Sequence, residues 1–448
     1  MRVLRVYVTQ MAGAGLLCWM VVGAPALAAQ SYTGIPAVDS AAVARAAWER
    51  ATKALYVHDV AAARTEVAHA ASAWPTQPAY LWARAVTAQL ASDSNEVLAA
   101  LTTLADLGMG RDLASDARFS GYARTPRFSA IVARLDSNRA PLVRSRVVAT
   151  LVDSTFWPEG MDYDPRRDVY YVASVRHGTI AEVVQGVVTR EMWPRDRPGF
   201  GSVLGVRVDT MHNVLWATLA GIPQRPGFAP TDSVIAALVR VRIADGAVER
   251  RWDLPPARLG HVLGDLAIGP HGDIFVTDSN DPVLYRLRPD ADTLERIASP
   301  LFRSLQGAAP LPNGRVLYVA DYSHGLLRVD LDEKTVTRLR DAPRSTSLGC
   351  DGIAWDGHGI ICVQNGVSPA RIMRFVVDAT GRSIERAEVL DRNPAIADEP
   401  TIGAVVGGEF VYVANSQWEK YTDDGKRKYD RPLTAPILLG VSLRLTDR

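Results

Sequence analysis

Six segments of the chain repeat one pattern at nearly one spacing, and no other feature limits the fold so strongly. They are "EGMDYDPRRDVYYVAS", "LGVRVDTMHNVLWATL", "GDLAIGPHGDIFVTDS", "QGAAPLPNGRVLYVAD", "DGIAWDGHGIICVQN" and "TIGAVVGGEFVYVANS". Each is a short alternating strand, a turn with Gly, Pro or Asn, and a second strand ending on a small or polar residue. They begin at 159, 204, 264, 306, 351 and 401, spacings of 45, 60, 42, 45 and 50 residues. Most are followed by two further alternating strands, such as "LVRVRIADGAVERRWDL". Four strands per repeat at this period predict a mainly β chain with a six-bladed β-propeller over 146–448. The last repeat lacks an outer strand. "RVVATLVD", just before the first repeat, is expected to supply it and so remove an exposed sheet edge.

The text ahead of the propeller has a different period. Residues 36–140 are rich in Ala, with Glu, Arg and Leu at helical spacing. "AAVARAAWERATKALYVHD" with "VAAARTEVAHAASAWP", and "AYLWARAVTAQLASD" with "SNEVLAALTTLADLG", read as two antiparallel helix pairs. "SDSNEV" supplies an N-cap and Gly108 a C-cap. The unit recurs at roughly 34 residues, a tetratricopeptide-like period. "DARFSGYARTPRFSAIVARL" resembles the helix that caps such short arrays. The expectation is a small all-α helical-repeat domain. With about two repeats, a bundle packed beside the propeller is favoured over a peptide-binding groove, and a protein partner on this domain is the other reading.

Residues 1–28 hold Arg2 and Arg5, the apolar run "AGAGLLCWMVVGA" and the small-residue stretch "APALA". They read as an export signal cut after Ala28, too short for a membrane span, and imply a periplasmic or secreted product with no membrane contact after cleavage. The formal net charge of the whole chain is +1, which gives nucleic acid no basic surface. Cys350 and Cys362 fall in one predicted hairpin. With the turn at "DGHG", Cys362 lies opposite about Ile353. That register favours two small buried apolar residues over a disulfide.

In a propeller the innermost strands line the channel, and their first residues meet at one mouth. Here these are Glu159, Leu204, Gly264 (followed by Asp265), Gln306, Asp351 and Thr401. The second strands return to the same mouth and end at Ser174, Thr218, Asp278, Asp321, Asn365 and Asn415. Carboxylates with amide oxygens around a hole suit a hard divalent cation. Asp278 and Asp321 are expected to brace the turns that follow them instead. His177 and His324 hold equivalent positions, "SVRHGT" and "DYSHGL". Each is a candidate general base, although the matching register favours a repeated turn role. Two long loops, 221–233 and 416–434, leave the ligand-bearing mouth and suit a lid or a substrate wall. Thr401, Asn365 and Asn415, with Trp418 and Tyr421 of the second loop, are the candidate substrate contacts. No nucleophile elbow, metalloprotease helix motif, phosphate loop or dinucleotide fingerprint is present.

"PEGMDYD" and "CDGIAW" resemble the corresponding motifs of the gluconolactonase/regucalcin family, and the likeness covers about 146–448. The family is built as six-bladed propellers with one divalent metal in the channel. The resemblance implies Glu159, Gln306 and Asp351 as ligands of Ca²⁺ or Zn²⁺, with Asp265 of "GDLAIGPHG" positioning substrate or taking a proton. It implies a metal-dependent hydrolase of a lactone or similar cyclic ester. Gln306 stands where the family has Asn, and Met161 where it usually has Pro. "VADYSH" and "VTDSND" also resemble NHL-type propellers, many of them binding scaffolds. The alternative is therefore a non-catalytic exported propeller that holds a peptide, sugar or protein partner. A lyase is a third reading.

Overall fold

The alternation of the repeats becomes six antiparallel sheets set around a channel, in a computed structural model that describes residues 29–34, 40–195 and 197–444. The expected export signal, 1–28, lies outside the described residues. Blade 1 runs from the inner strand Pro158–Asp164 to the outer strand Val187–Glu191, and the next four blades follow the same inner-to-outer order. Each inner strand packs on the inner strands of both neighbours, which closes the ring. Blade 6 takes its outer strand from Ser145–Thr150, which pairs antiparallel with Ile437–Ser442, so the first and last strands of the propeller lock one sheet. Cores form between blades: Tyr171, Leu215 and Val239 of blades 1 and 2 are wholly buried against one another.

The short N-terminal segment was not foreseen. Ala29–Ser31 adds a parallel fifth strand to blade 3, and Thr33–Gly34 adds one to blade 4. Between them Tyr32 fills the core shared by these blades, among Phe275, Ile297 and Leu317.

The helical text folds as α1 Ser40–Tyr56, α2 Val60–Ala73, α3 Pro78–Leu90, α4 Ser94–Asp106 and α5 Pro126–Arg139. Asp59 and Asp93 cap α2 and α4, each accepting a backbone N–H of the first turn. Gly108 leaves α4 at φ +74°, where glycine carries no Cβ strain. This region packs on the mouth face of the propeller, over blades 4 and 5. Trp74 lies against His324 (5.8 Å between rings), and Thr76 donates to Asp341 (2.7 Å). Buried Arg371 of blade 5 donates to the carbonyls of Leu107 and Gly108 at the end of α4 (3.5 and 3.2 Å), where a cation meets the negative end of the helix.

Cys350 and Cys362 are joined in a disulfide, Cα–Cα 5.7 Å, which corrects the expectation of two separate thiols. The register was as read: Ile353 faces Cys362. The strand bulges between Cys350 and Ile353, and the slip brings Cys350 back within reach of a residue two places from its own partner, Gln364. The bridge closes a span of 12 residues. Its removal in a Cys350→Ala, Cys362→Ala double variant is expected to cost roughly 2–3 kcal/mol in chemical denaturation. An unchanged midpoint would mean that the closed hairpin adds no stability.

Candidate functional site at the channel mouth

The ring residues read from the repeats owe their placement to one backbone device. In five of six inner strands the register slips at the mouth, between Pro158 and Met161, Val203 and Val206, Leu263 and Asp265, Leu305 and Ala308, and Cys350 and Ile353. Such bulges bend a strand and re-aim its side chains. In four of them a glycine follows the ring residue: Gly160, Gly205, Gly307 and Gly352. A Cβ on Gly160 would sit 2.4 Å from the Leu204 carbonyl oxygen, and one on Gly307 2.5 Å from the Ile353 nitrogen. The Glu-Gly, Gln-Gly and Asp-Gly pairs thus let adjacent inner strands close around a narrow channel.

Glu159 and Asp351 stand at this mouth with their charges in mutual repulsion. Glu159 is only 8% exposed, and Oε2 accepts the indole N–H of Trp418 (2.7 Å). Burial, and then the Asp351 charge, lift its carboxyl well above the usual range, while the Trp418 bond pulls the other way. Burial pushes the Asp351 carboxyl up to about 7; Asn365, donating to Oδ2 at 2.7 Å, opposes this and Asp265 adds to it. Each carboxylate therefore has one oxygen held by a donor from outside the channel.

Asp265 lies in the same channel, 1% exposed and ion-paired with Arg207 (3.1 Å). Burial raises its carboxyl to about 6 against the pull of Arg207. Arg207 also donates to the Met161 carbonyl, so the pair is knitted into blades 1 to 3. A free proton acceptor at Asp265 is not what this geometry provides. Gln306 turns sideways: Nε2 lies 3.4 Å from Ser304 Oγ, and the oxygen lies towards Gly264 of blade 3. Among the described residues no three His, Cys, Asp or Glu side chains come together in a group that could hold a metal ion.

The remaining candidates divide between bracing and the lid. Asn415 uses its whole amide on the loop beside it, donating to Thr434 and Ala435 and accepting from Ile437 N–H, so no polar group remains for a substrate. Thr401 donates its hydroxyl to the Glu159 carbonyl (3.0 Å) and ties blade 6 to blade 1. His177 is enclosed by Thr155, Phe156 and Glu191, and burial, then Arg195, lower its pKa. His324 is wholly buried, and its Nδ1 donates to the Leu301 carbonyl (2.9 Å). Both rings are buried against neighbouring segments, His177 against Thr155 and Phe156 and His324 against the Leu301 carbonyl and Trp74. Asp278 and Asp321 brace loops as expected, through N–H groups of Val262, Asn280, Arg303 and Ser304.

The loop 416–434 folds over the mouth. Trp157 carries both of its aromatics, Trp418 edge-on at 4.8 Å and Tyr421 stacked at 4.6 Å. The loop 221–233 joins it, with Gln224 donating to the Asp423 carbonyl (3.3 Å) and Ile222 sharing the apolar cluster of Trp157 and Tyr421.

Three residues were not read from the sequence. Glu399, on the connector into blade 6, accepts the Glu419 N–H of the lid (3.0 Å), and burial pushes its carboxyl to about 7. Nothing in "IADEP" marks it. The other two are Arg207 and Asp162, whose Oδ2 accepts the Val208 N–H (2.8 Å) beside the Arg207 charge; the sequence marks both only as charged residues inside inner strands.

These acids give a signed pH dependence. Glu159, Asp265, Asp351 and Glu399 all hold protons more tightly folded than unfolded. The folded chain then binds more protons between the unfolded carboxylate range, about 4, and the range of Asp351 and Glu399, about 7. Stability is lost as pH rises through that window. Thermal melting of cation-free protein is expected to fall from about pH 5 to pH 8. A profile that rises across the window would show that these carboxyls are not perturbed.

Fold and mouth together define a six-bladed propeller with a buried acidic pair at one end of its channel. No family model matches the chain, and no curated protein matches it. Among solved structures it is similar to a gluconolactonase from Xanthomonas campestris: 16% identity over 68% of this chain and 93% of that one, TM-score 0.44. It is similar to a catalytically inactive virginiamycin B lyase from Staphylococcus aureus at 14% identity over 60% and 80%, TM-score 0.43. It is also similar to regucalcin from Agrobacterium tumefaciens, a calcium-binding protein, at 14% over 66% and 96%, TM-score 0.43. At these values the blade count rests on the strand order of this chain.

Proposed function

We propose that the chain is an exported, divalent-cation-dependent hydrolase of a lactone or similar cyclic ester. The observation that carries the reading is the pair Glu159 and Asp351: Glu159 is buried, Asp351 is partly buried, their charges repel, and among the described residues neither has a basic partner in its hydrogen bonds or ion pairs. Such a pair is costly unless a cation or a proton is shared. The buried Asn365 amide oxygen, which has no hydrogen-bond partner among the described residues, fits a hard cation. A bound Ca²⁺ or Zn²⁺ would polarise an ester carbonyl and acidify its water. Trp418 and Tyr421 of the lid exclude bulk water, and Glu399 is the carboxyl placed and tuned to exchange a proton near neutral pH.

Space for a small polar molecule lies beside the mouth, in a cavity of about 600 Å³ between α5 and blades 5 and 6. Arg139 of α5 lines it together with Asn365, Arg392 and Pro400, which gives the helical domain a part in substrate choice. The disulfide suits an oxidising compartment, in keeping with export to the periplasm or medium. The test is metal analysis of chelator-free protein with hydrolysis of a lactone panel. Stoichiometric metal and chelator-sensitive turnover support the reading; metal-free protein with no melting shift in Ca²⁺ or Zn²⁺ sinks it.

One observation favours the second reading, a non-catalytic scaffold for a peptide, sugar or protein: Asp265, His177 and His324 are all engaged elsewhere. A cation bound without turnover on any ester would select it.

A further inference from the structure

We propose that Asn365, and not Gln306, supplies the neutral oxygen of the cation site formed by Glu159 and Asp351. This rests on the reading that the mouth binds a cation. The Asn365 amide nitrogen donates to two acceptors, Asp351 Oδ2 at 2.7 Å and the Pro400 carbonyl at 2.8 Å. Exchanging the amide's ends would set its oxygen against a carboxylate and a carbonyl, so the orientation is determined by the neighbours. Oδ1 is then buried with no hydrogen-bond partner among the described residues. A buried acceptor left this way is costly, and native structures seldom keep one without a reason.

The other amides near the mouth do not share this state. Asn415 Oδ1 accepts Ile437 N–H at 2.7 Å, and Gln364 Oε1 accepts from Arg371 at 2.6 Å. Gln306 is partly exposed, with Nε2 beside Ser304 Oγ and Oε1 beside Gly264, and its oxygen is not a buried orphan. No third His, Cys, Asp or Glu joins the two carboxylates among the described residues, so a further protein ligand has to be neutral. Asn365 is the amide already bonded to one of the two. A single side chain thus orients Asp351 through its N–H and offers oxygen, the donor a hard cation takes.

The experiment is calcium titration by calorimetry, with terbium luminescence as a second readout, on full-length chelator-treated protein. Asn365→Leu is expected to weaken binding by roughly tenfold or more, and Gln306→Ala by less than about threefold. A near-ultraviolet circular dichroism spectrum of Asn365→Leu that matches the parent's controls for misfolding of the variant. Loss of binding in Gln306→Ala with none in Asn365→Leu overturns the assignment, and so does equal loss in both. If the unaltered protein binds neither ion, the cation reading itself fails and the assignment falls with it; if only Glu159→Gln abolishes binding, the cation reading stands and Asn365 is excluded.

Discussion

Glu159→Gln is expected to weaken Ca²⁺ binding by roughly 100-fold or more and, at the same time, to make the cation-free protein more stable above neutral pH. The two effects have opposite signs and one cause. Ionised Glu159 is buried beside Asp351, so its folded-state pKa is raised and its charge opposes folding once pH exceeds the ordinary carboxylate range. Glutamine keeps an acceptor for the Trp418 indole and removes the charge, so lid packing is preserved while repulsion is relieved. At pH 8 the variant should melt higher than the parent without cation and show no upward shift when Ca²⁺ is added. Near pH 4 Glu159 is protonated and neutral like the glutamine, and the two proteins should melt alike. Differential scanning calorimetry at the two pH values, with and without Ca²⁺, reads all of this. A variant that is less stable at pH 8 would mean that Glu159 is a structural ion-pair partner.

Arg371→Ala is expected to cost about 4 kcal/mol and to loosen the helical domain from the propeller. Arg371 is 4% exposed, and among the described residues its hydrogen-bond partners are all neutral: Gln364 Oε1 and the carbonyls of Leu107 and Gly108. Burial, and then Arg392, hold its pKa down at about 10, which shows how little negative charge surrounds it. Alanine leaves three buried acceptors without a donor and opens a cavity under Gly108. Limited proteolysis should then cut after α5 faster than in the parent, and the single melting transition should split. Protection equal to the parent would assign the docking to the apolar contacts of Trp74 and Leu348.

The blades were legible because their information is local and repeated. Alternation with period two marks each strand, Gly and Pro mark each turn, and six copies let one register check another. The same repetition placed Glu159 and Asp351 in one ring, since equivalent positions in equivalent blades converge. Helices α1 to α4 were legible for a similar reason, from Ala-rich periodicity, with the cap in "SDSNEV" ahead of α4 and Gly108 after it. Gln306 shows the limit. Its ring position follows from the repeat, but its direction is chosen by Ser304 and the open space over Gly264.

The chain's own pattern therefore determined the blade number, the closing strand, the helical front part and the mouth at which carboxylates gather. Only the tertiary structure decided which side chains meet there. Trp418 reaches Glu159 across 259 positions, and Arg371 reaches Gly108 across 263. The disulfide, the N-terminal strands on blades 3 and 4, the Arg207–Asp265 pair and the carboxyl of Glu399 belong to the same class. Periodicity is set by neighbours along the chain, whereas hydrogen bonds and charge repulsion depend on distances that exist only once the ring has closed.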